Sequence, residues 1–244
     1  LQGSIPLPAM LRPWLPQYPG QAPMLSYRGE THLDNTLSFK LEAIDYKGLI
    51  QDPEKREEVQ WEHSGAHFNV RLHPLNQQLT IMASLDALAL DVPDETLRMG
   101  IENLQLKADS TRLQPFVWIG DASLALDNAS FQADQNHLSL QGMRISSDTV
   151  QNGDKLNSTA ELKLGPIELD DMRLGESRLR YSMLDLDIEG YAGLMRAANR
   201  LGDIDDLDQH WPSLRPHLKR ILAGHPQLRM DELSISLGEP YNTT

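Results

Sequence analysis

The stretch Leu162-Lys163-Leu164-Gly165-Pro166-Ile167-Glu168-Leu169 decides the fold. Apolar and polar residues alternate at 162–164 and again at 167–169. Successive side chains of a strand point to opposite faces, so each half reads as a strand with one apolar face. The step from Leu164 to Ile167 is odd, so the alternation changes phase at Gly165-Pro166, and a bulge or tight bend is expected there. The same two-part unit occurs upstream. Leu97-Arg98-Met99-Gly100-Ile101 precedes Leu104-Gln105-Leu106, and Leu138-Ser139-Leu140 precedes Met143-Arg144-Ile145. These read as successive units of a meander.

Working outward, Leu37, Phe39 and Leu41 alternate, as do Phe68, Val70 and Leu72, then Leu79, Ile81, Ala83 and Leu85. Leu124 with Leu126 and the run from Leu179 to Ile188 continue the pattern. Asp91-Val92-Pro93-Asp94, Asp127-Asn128 and Asn152-Gly153 supply turn residues between strands, the last a strong hairpin signal. The charged segment from Gln51 to Glu58, with Pro53, reads as a loop. Leucine favours helix by propensity and valine is scarce, but period-2 alternation would scatter these leucines around a helix.

Two helices interrupt the pattern. Tyr191, Leu194, Met195, Ala198 and Leu201 predict one over 191–201. Leu214, Leu218, Ile221 and Leu222 predict a second over 213–223, with Pro216 confined to its first turn. Residues 1–30 hold Pro6, Pro8, Pro13, Pro16, Pro19 and Pro23. They predict an extended arm, with a short helical turn near Met10 to Leu15. The fold class is therefore α+β, mainly β. A large, curved, amphipathic antiparallel meander carries two helices in its C-terminal half, in one domain over 31–244.

Composition narrows the function. A net charge of −13 disfavours nucleic acid, whose phosphates need a basic surface. With no cysteine, disulfides and thiolate chemistry are excluded. No apolar stretch approaches the ~20 residues of a membrane helix. The start at Leu1 and the end at Thr244 read as trimmed, so a leader or anchor preceding the chain is expected.

Signals for chemistry are weak. Asp203, Asp205, Asp206 and Asp208 form the densest acidic cluster. A calcium loop would need glycine and glutamate where Asp208 and Leu214 stand, so the cluster reads as a solvated loop. His63 and His67 flank Gly65 and read as ordinary surface histidines. No nucleophile elbow, zinc-protease helix motif, phosphate loop or dinucleotide fingerprint occurs, and no cofactor is implied. The chain reads as a non-enzyme. Phe116-Val117-Trp118-Ile119 is apolar on both faces, as a covered strand or a groove wall would be. Phe116, Trp118, Leu124, Leu126, Leu138 and Leu140 are the groove candidates.

A family pattern joins these segments. Glu161 to Pro166 leads through Leu184-Asp185-Leu186-Asp187 to Tyr191-Ala192-Gly193-Leu194, and a final strand runs from His225-Pro226 to Gly238-Glu239. Together with Tyr46-Lys47-Gly48-Leu49, this resembles the YdgA-like family of bacterial envelope proteins of unknown function. The resemblance implies an internal fragment of a periplasmic protein, anchored in the inner membrane through a preceding N-terminal segment, and it carries over no catalytic residues. The expected role is binding of a lipid, acyl chain or hydrophobic peptide on the apolar sheet face. The alternative is an interaction module with a closed core. Free sheet edges add the expectation of a homodimer.

Overall fold

Alternation along the chain becomes one wide antiparallel sheet. The computed structural model describes residues 1–18, 22–51, 58–170, 172–199 and 207–237. Its strands are β1 (Gln2–Pro6), β2 (Pro23–Thr31), β3 (Leu37–Ala43), β4 (Tyr46–Gln51), β5 (Glu58–Ser64), β6 (His67–His73), β7 (Gln78–Val92) and β8 (Leu97–Gln114). They continue as β9 (Val117–Leu126), β10 (Asn128–Ala133), β11 (Asn136–Leu140), β12 (Met143–Asn152), β13 (Lys155–Leu164), β14 (Ile167–Leu169), β15 (Met172–Asp187) and β16 (Gln227–Leu237). Helices α1 (Ile188–Ala198) and α2 (Leu207–Ala223) lie between β15 and β16.

Many of these strands are halves of longer lines. β13 and β14 together run beside β15, and β11 and β12 together run beside β13 and β14. The pairs β3/β4, β5/β6 and β9/β10 behave the same way. The sheet is thus an up-and-down meander in which each line pairs with its neighbours in the chain. The expected phase change is a pleat break that crosses the sheet from line to line. Register survives it: Leu140 faces Ile167 and Met143 faces Leu164, so equal numbers of residues pass on both sides. The ladder continues through the break, where the Gln141 amide donates to Pro166 O at 2.9 Å and the Gly165 amide to Gly142 O at 2.7 Å. Gly65, Asn103 and Gly142 occupy positive φ along this line, which turns the pleat over.

At the strand tips the chain turns through left-handed residues. Asn35, Gln77, Thr96, Phe116, Asp134, Gly153 and Asp170 have positive φ, one in each of seven hairpins. The expected hairpin at Asn152-Gly153 is among them. The expected loop from Gln51 to Glu58 lies, over 52–57, outside the described residues.

The proline-rich arm is not separate from the domain. Its ends are β1 and β2, and Pro6 faces Pro23 at the limit of their pairing, where a missing amide breaks no ladder bond. Between them, Ala9–Leu11 form a single 3-10 turn. Leu7 and Tyr18 then fold over Tyr46, beside Leu15, Met24, Ile44 and Trp61.

Helix α1 begins three residues before the predicted start. Asp187 caps it, accepting from the Gly190 amide at 2.7 Å. Helix α2 begins at Leu207 rather than 213, which places Pro212 and Pro216 inside it. Each proline removes one amide donor. Packing against α1 offsets that loss, with His217 against Gly193 and Ile221 against Gly190. The helices seal only one end of the sheet. There Val117, Leu156, Ile188 and Ala192 form a small buried cluster.

Asp187 joins helices to sheet. It also meets Arg220 Nε at 2.7 Å and Lys155 Nζ at 3.7 Å. Burial works against its charge, but the Gly190 amide, Arg220 and Lys155 outweigh burial and hold the carboxyl below its ordinary value. A depressed carboxyl contributes stability above its unfolded pKa and loses it as pH falls through the folded one. Asp187→Ala should therefore cost about 1–2 kcal/mol at neutral pH. In urea titrations against pH, the gap from the native protein should narrow below about pH 4. A second test concerns the break. A methyl on Gly165 would strike the Gln141 carbonyl, whereas one on Gly153 meets open space at positive φ. Gly165→Ala should lower unfolding free energy by about 2–4 kcal/mol, and Gly153→Ala by about 1 kcal/mol.

Candidate functional site

Residues directly opposed on neighbouring strands share a face. Following the register therefore reads the sheet's surface row by row. One row runs Tyr27, Leu41, Phe68, Ala83, Leu106, Leu124, Ile145, Leu162, Leu179 and Leu233. It is apolar across ten strands, and at ~4.8 Å per spacing it is about 43 Å long. The next row on the same face runs Phe39, Val70, Ile81, Ala108, Ala122, Ser147, Ala160, Tyr181 and Met230. Its middle is built of small residues. Ala108, Ala122, Ser147 and Ala160 lie beside the larger Leu106, Leu124, Ile145 and Leu162 of the first row, with Tyr181 next in line after Ala160.

This face is open. Phe39, Phe68, Leu106, Trp118, Ile145, Tyr181 and Met183 are all exposed. The chain presents 16440 Å² to solvent, against about 11,000 Å² for a compact monomer of its 27.5 kDa. Apolar side chains that alternation would place in a core remain at the surface.

Of the sequence candidates, Trp118, Leu124 and Leu126 share β9 and this face, with Leu124 in the long apolar row. Leu138 and Leu140 lie beyond the pleat break on β11, in two adjacent rows: Phe131, Leu138 and Leu169, and Ala129, Leu140 and Ile167. Phe116 sits in the β8–β9 turn at positive φ. The row partners Leu106, Ile145 and Tyr181 escaped the sequence reading. Their alternation marked the face, but register alone joins residues so far apart in the chain.

Across the break, the N-terminal side carries a partly open apolar pocket of about 230 Å³. Leu25 and Ala43 line it from one side of the break, and Tyr46, Ile50, Trp61 and His63 from the other. At this edge the odd spacing therefore keeps apolar side chains on one face. Leu15 and Tyr18 of the arm complete its lining. Tyr18 stacks on Tyr46 at 5.3 Å and donates its hydroxyl to Pro23 O at 2.9 Å, while Trp61 Nε1 donates to His63 Nδ1 at 2.6 Å. Burial raises both phenols above their ordinary pKa, and Tyr46 adds to the effect at Tyr18. His67 lies on β6, near Glu42 at 3.8 Å. Asp203, Asp205 and Asp206 fall outside the described residues, as does the side chain of Asp208.

The opposite face is polar. One of its rows runs Lys40, Asn69, Met82, Lys107, Ser123, Ser146, Glu161, Arg180 and Glu232. Arg178 bridges Glu161 and Glu232 across three strands. Burial opposes the charge of Glu161, but Arg178 and Lys163 outweigh it and lower the carboxyl's pKa.

The fold thus defines a class: a meandering antiparallel sheet with one polar face and one apolar face that the described residues leave largely uncovered. The chain belongs to a bacterial family described as "Bacterial protein of unknown function (DUF945)", whose model matches residues 4–239. No curated protein and no solved structure matches it.

Asp109, Asp121 and Asp148 stand directly opposite one another on the polar face. Like charges so placed repel. Asp121→Ser should raise stability by about 0.5–1 kcal/mol at low ionic strength. Urea midpoints should show that gain fading as salt is added.

Proposed function

We propose that this protein is a non-enzymatic binder of apolar chains in the bacterial cell envelope, holding a lipid or a hydrophobic lipoprotein segment on its open sheet face. The long apolar row from Tyr27 to Leu233, beside its row of small residues, carries the reading. The resemblance to YdgA-like proteins supports a periplasmic setting. The lack of nucleophile motifs supports a role without chemistry. A closed-core module would instead enclose Leu106, Ile145 and Tyr181, which are exposed here.

Magnitudes select the occupant. A methylene lying on a sheet hides about half its surface, which gains ~0.4 kcal/mol of the ~0.8 for full burial. A chain of about sixteen carbons then gains roughly 6 kcal/mol. That is close to the ~4–15 kcal/mol lost on association. One chain alone binds weakly, so the row favours a ligand with two chains side by side, such as a diacyl lipid.

Native mass spectrometry of the purified protein, followed by titration with a fluorescent diacyl lipid, tests this. Retention of a lipid mass and saturable binding are expected. Leu106→Glu with Ile145→Glu should weaken binding at least about tenfold, the effect of ~1.4 kcal/mol. Lys107→Glu, on the polar face, should leave it unchanged. An apo mass with no uptake, or equal binding by the double variant, would sink the proposal.

A further inference from the structure

The two sides of the sheet end differently. On the N-terminal side, the edge strand β4 is covered by the arm, whose Trp14 carbonyl accepts from the Gln51 amide at 2.8 Å. β1, which lies outside β2 on this side, is short and ends in Pro6. Both are ways of blunting an edge. On the other side stands β16, an edge strand of 11 residues with no proline. It pairs with β15, and among the described residues nothing pairs with its outer side.

We infer that β16 is a self-association edge, pairing antiparallel with β16 of a second copy across a two-fold axis. Three observations select that occupant. Length is the first, because an 11-residue strand is matched by its own copy and not by the 5-residue β1, so a closed pair is favoured over a head-to-tail chain. Charge is the second. Arg229 is the strand's one cation, and Asp231 and Glu232 follow it. Over its full length an antiparallel pair sets Arg229 opposite Ile235 and brings only Glu232 against its twin at the axis, whereas a parallel pair in register aligns all three charges with their twins. Area is the third. Leu228, Met230, Leu233, Ile235 and Leu237 are 59–79% exposed. They offer on the order of 600 Å² per copy, and the bare main chain adds to this, against ~800 Å² per partner in a standard interface. Pairing also joins the apolar faces of two copies into one. The inference does not depend on what that face binds.

The absence of cysteine makes a clean test. Met230→Cys, Glu232→Cys, Ser234→Cys and Ser236→Cys would be made singly in the full chain, with Ser4→Cys on β1 as the opposite-edge control. Circular dichroism would confirm that each variant is folded. Light scattering should give twice the 27.5 kDa of one chain. Mild oxidation should cross-link β16 variants with a maximum at one position and a fall on either side, and should leave Ser4→Cys monomeric. A monomer across the concentration range would overturn the proposal. So would a dimer that cross-links through Ser4→Cys, or one that never cross-links within β16.

Discussion

The ladder of antiparallel hydrogen bonds, kept in step across the pleat break, is the constraint on which the rest of this structure depends. A sheet packed against a second layer can tolerate a local slip, because its core holds it. Here the buried clusters are small and lie at two ends, around Val117 and around Tyr46. Between them the lines are held by main-chain bonds and same-face neighbours. A one-residue slip in any line would move its leucines to the polar face. The matched breaks at Gln141-Gly142 and Gly165-Pro166 prevent this, because each line turns its pleat where its neighbour does.

The same constraint explains what could be read in advance. Strand type and the phase change were legible because they are local: Leu162-Lys163-Leu164 and Ile167-Glu168-Leu169 carry both in eight residues. The row of small residues was not. It is made of Ala108, Ala122, Ser147 and Ala160, and nothing in any one segment marks a small residue as part of a shared row. The start of α1 was obscured for another reason. Leu184, Leu186 and Ile188 continue the strand alternation into the helix, while the competing signal is a single side chain, Asp187. For α2, proline chemistry argued for a start near 213. Packing against Gly190 and Gly193 favours the longer helix.

The two faces divide the labour. Polar residues satisfy one another laterally, as Arg178 does with Glu161 and Glu232, and that face stays wet. The apolar face has no such internal partner, and its exposed rows are what a bound chain would cover. Net acidity fits this division, since like charge on the wet face disfavours non-specific association.

Nearest-neighbour pairing has a consequence for how the protein comes apart. Each line touches its two neighbours and little else, so the sheet resembles a one-dimensional stack, in which stability is a sum of interface terms. Such a stack does not have to unfold all at once. Opening begins where one partner is missing and the side chains are least enclosed, and it travels inward. The arm and the helix pair act as stops on that process, one at β4 and one at the ends of β9, β13 and β15, which leaves the middle lines as the last to exchange their amide protons.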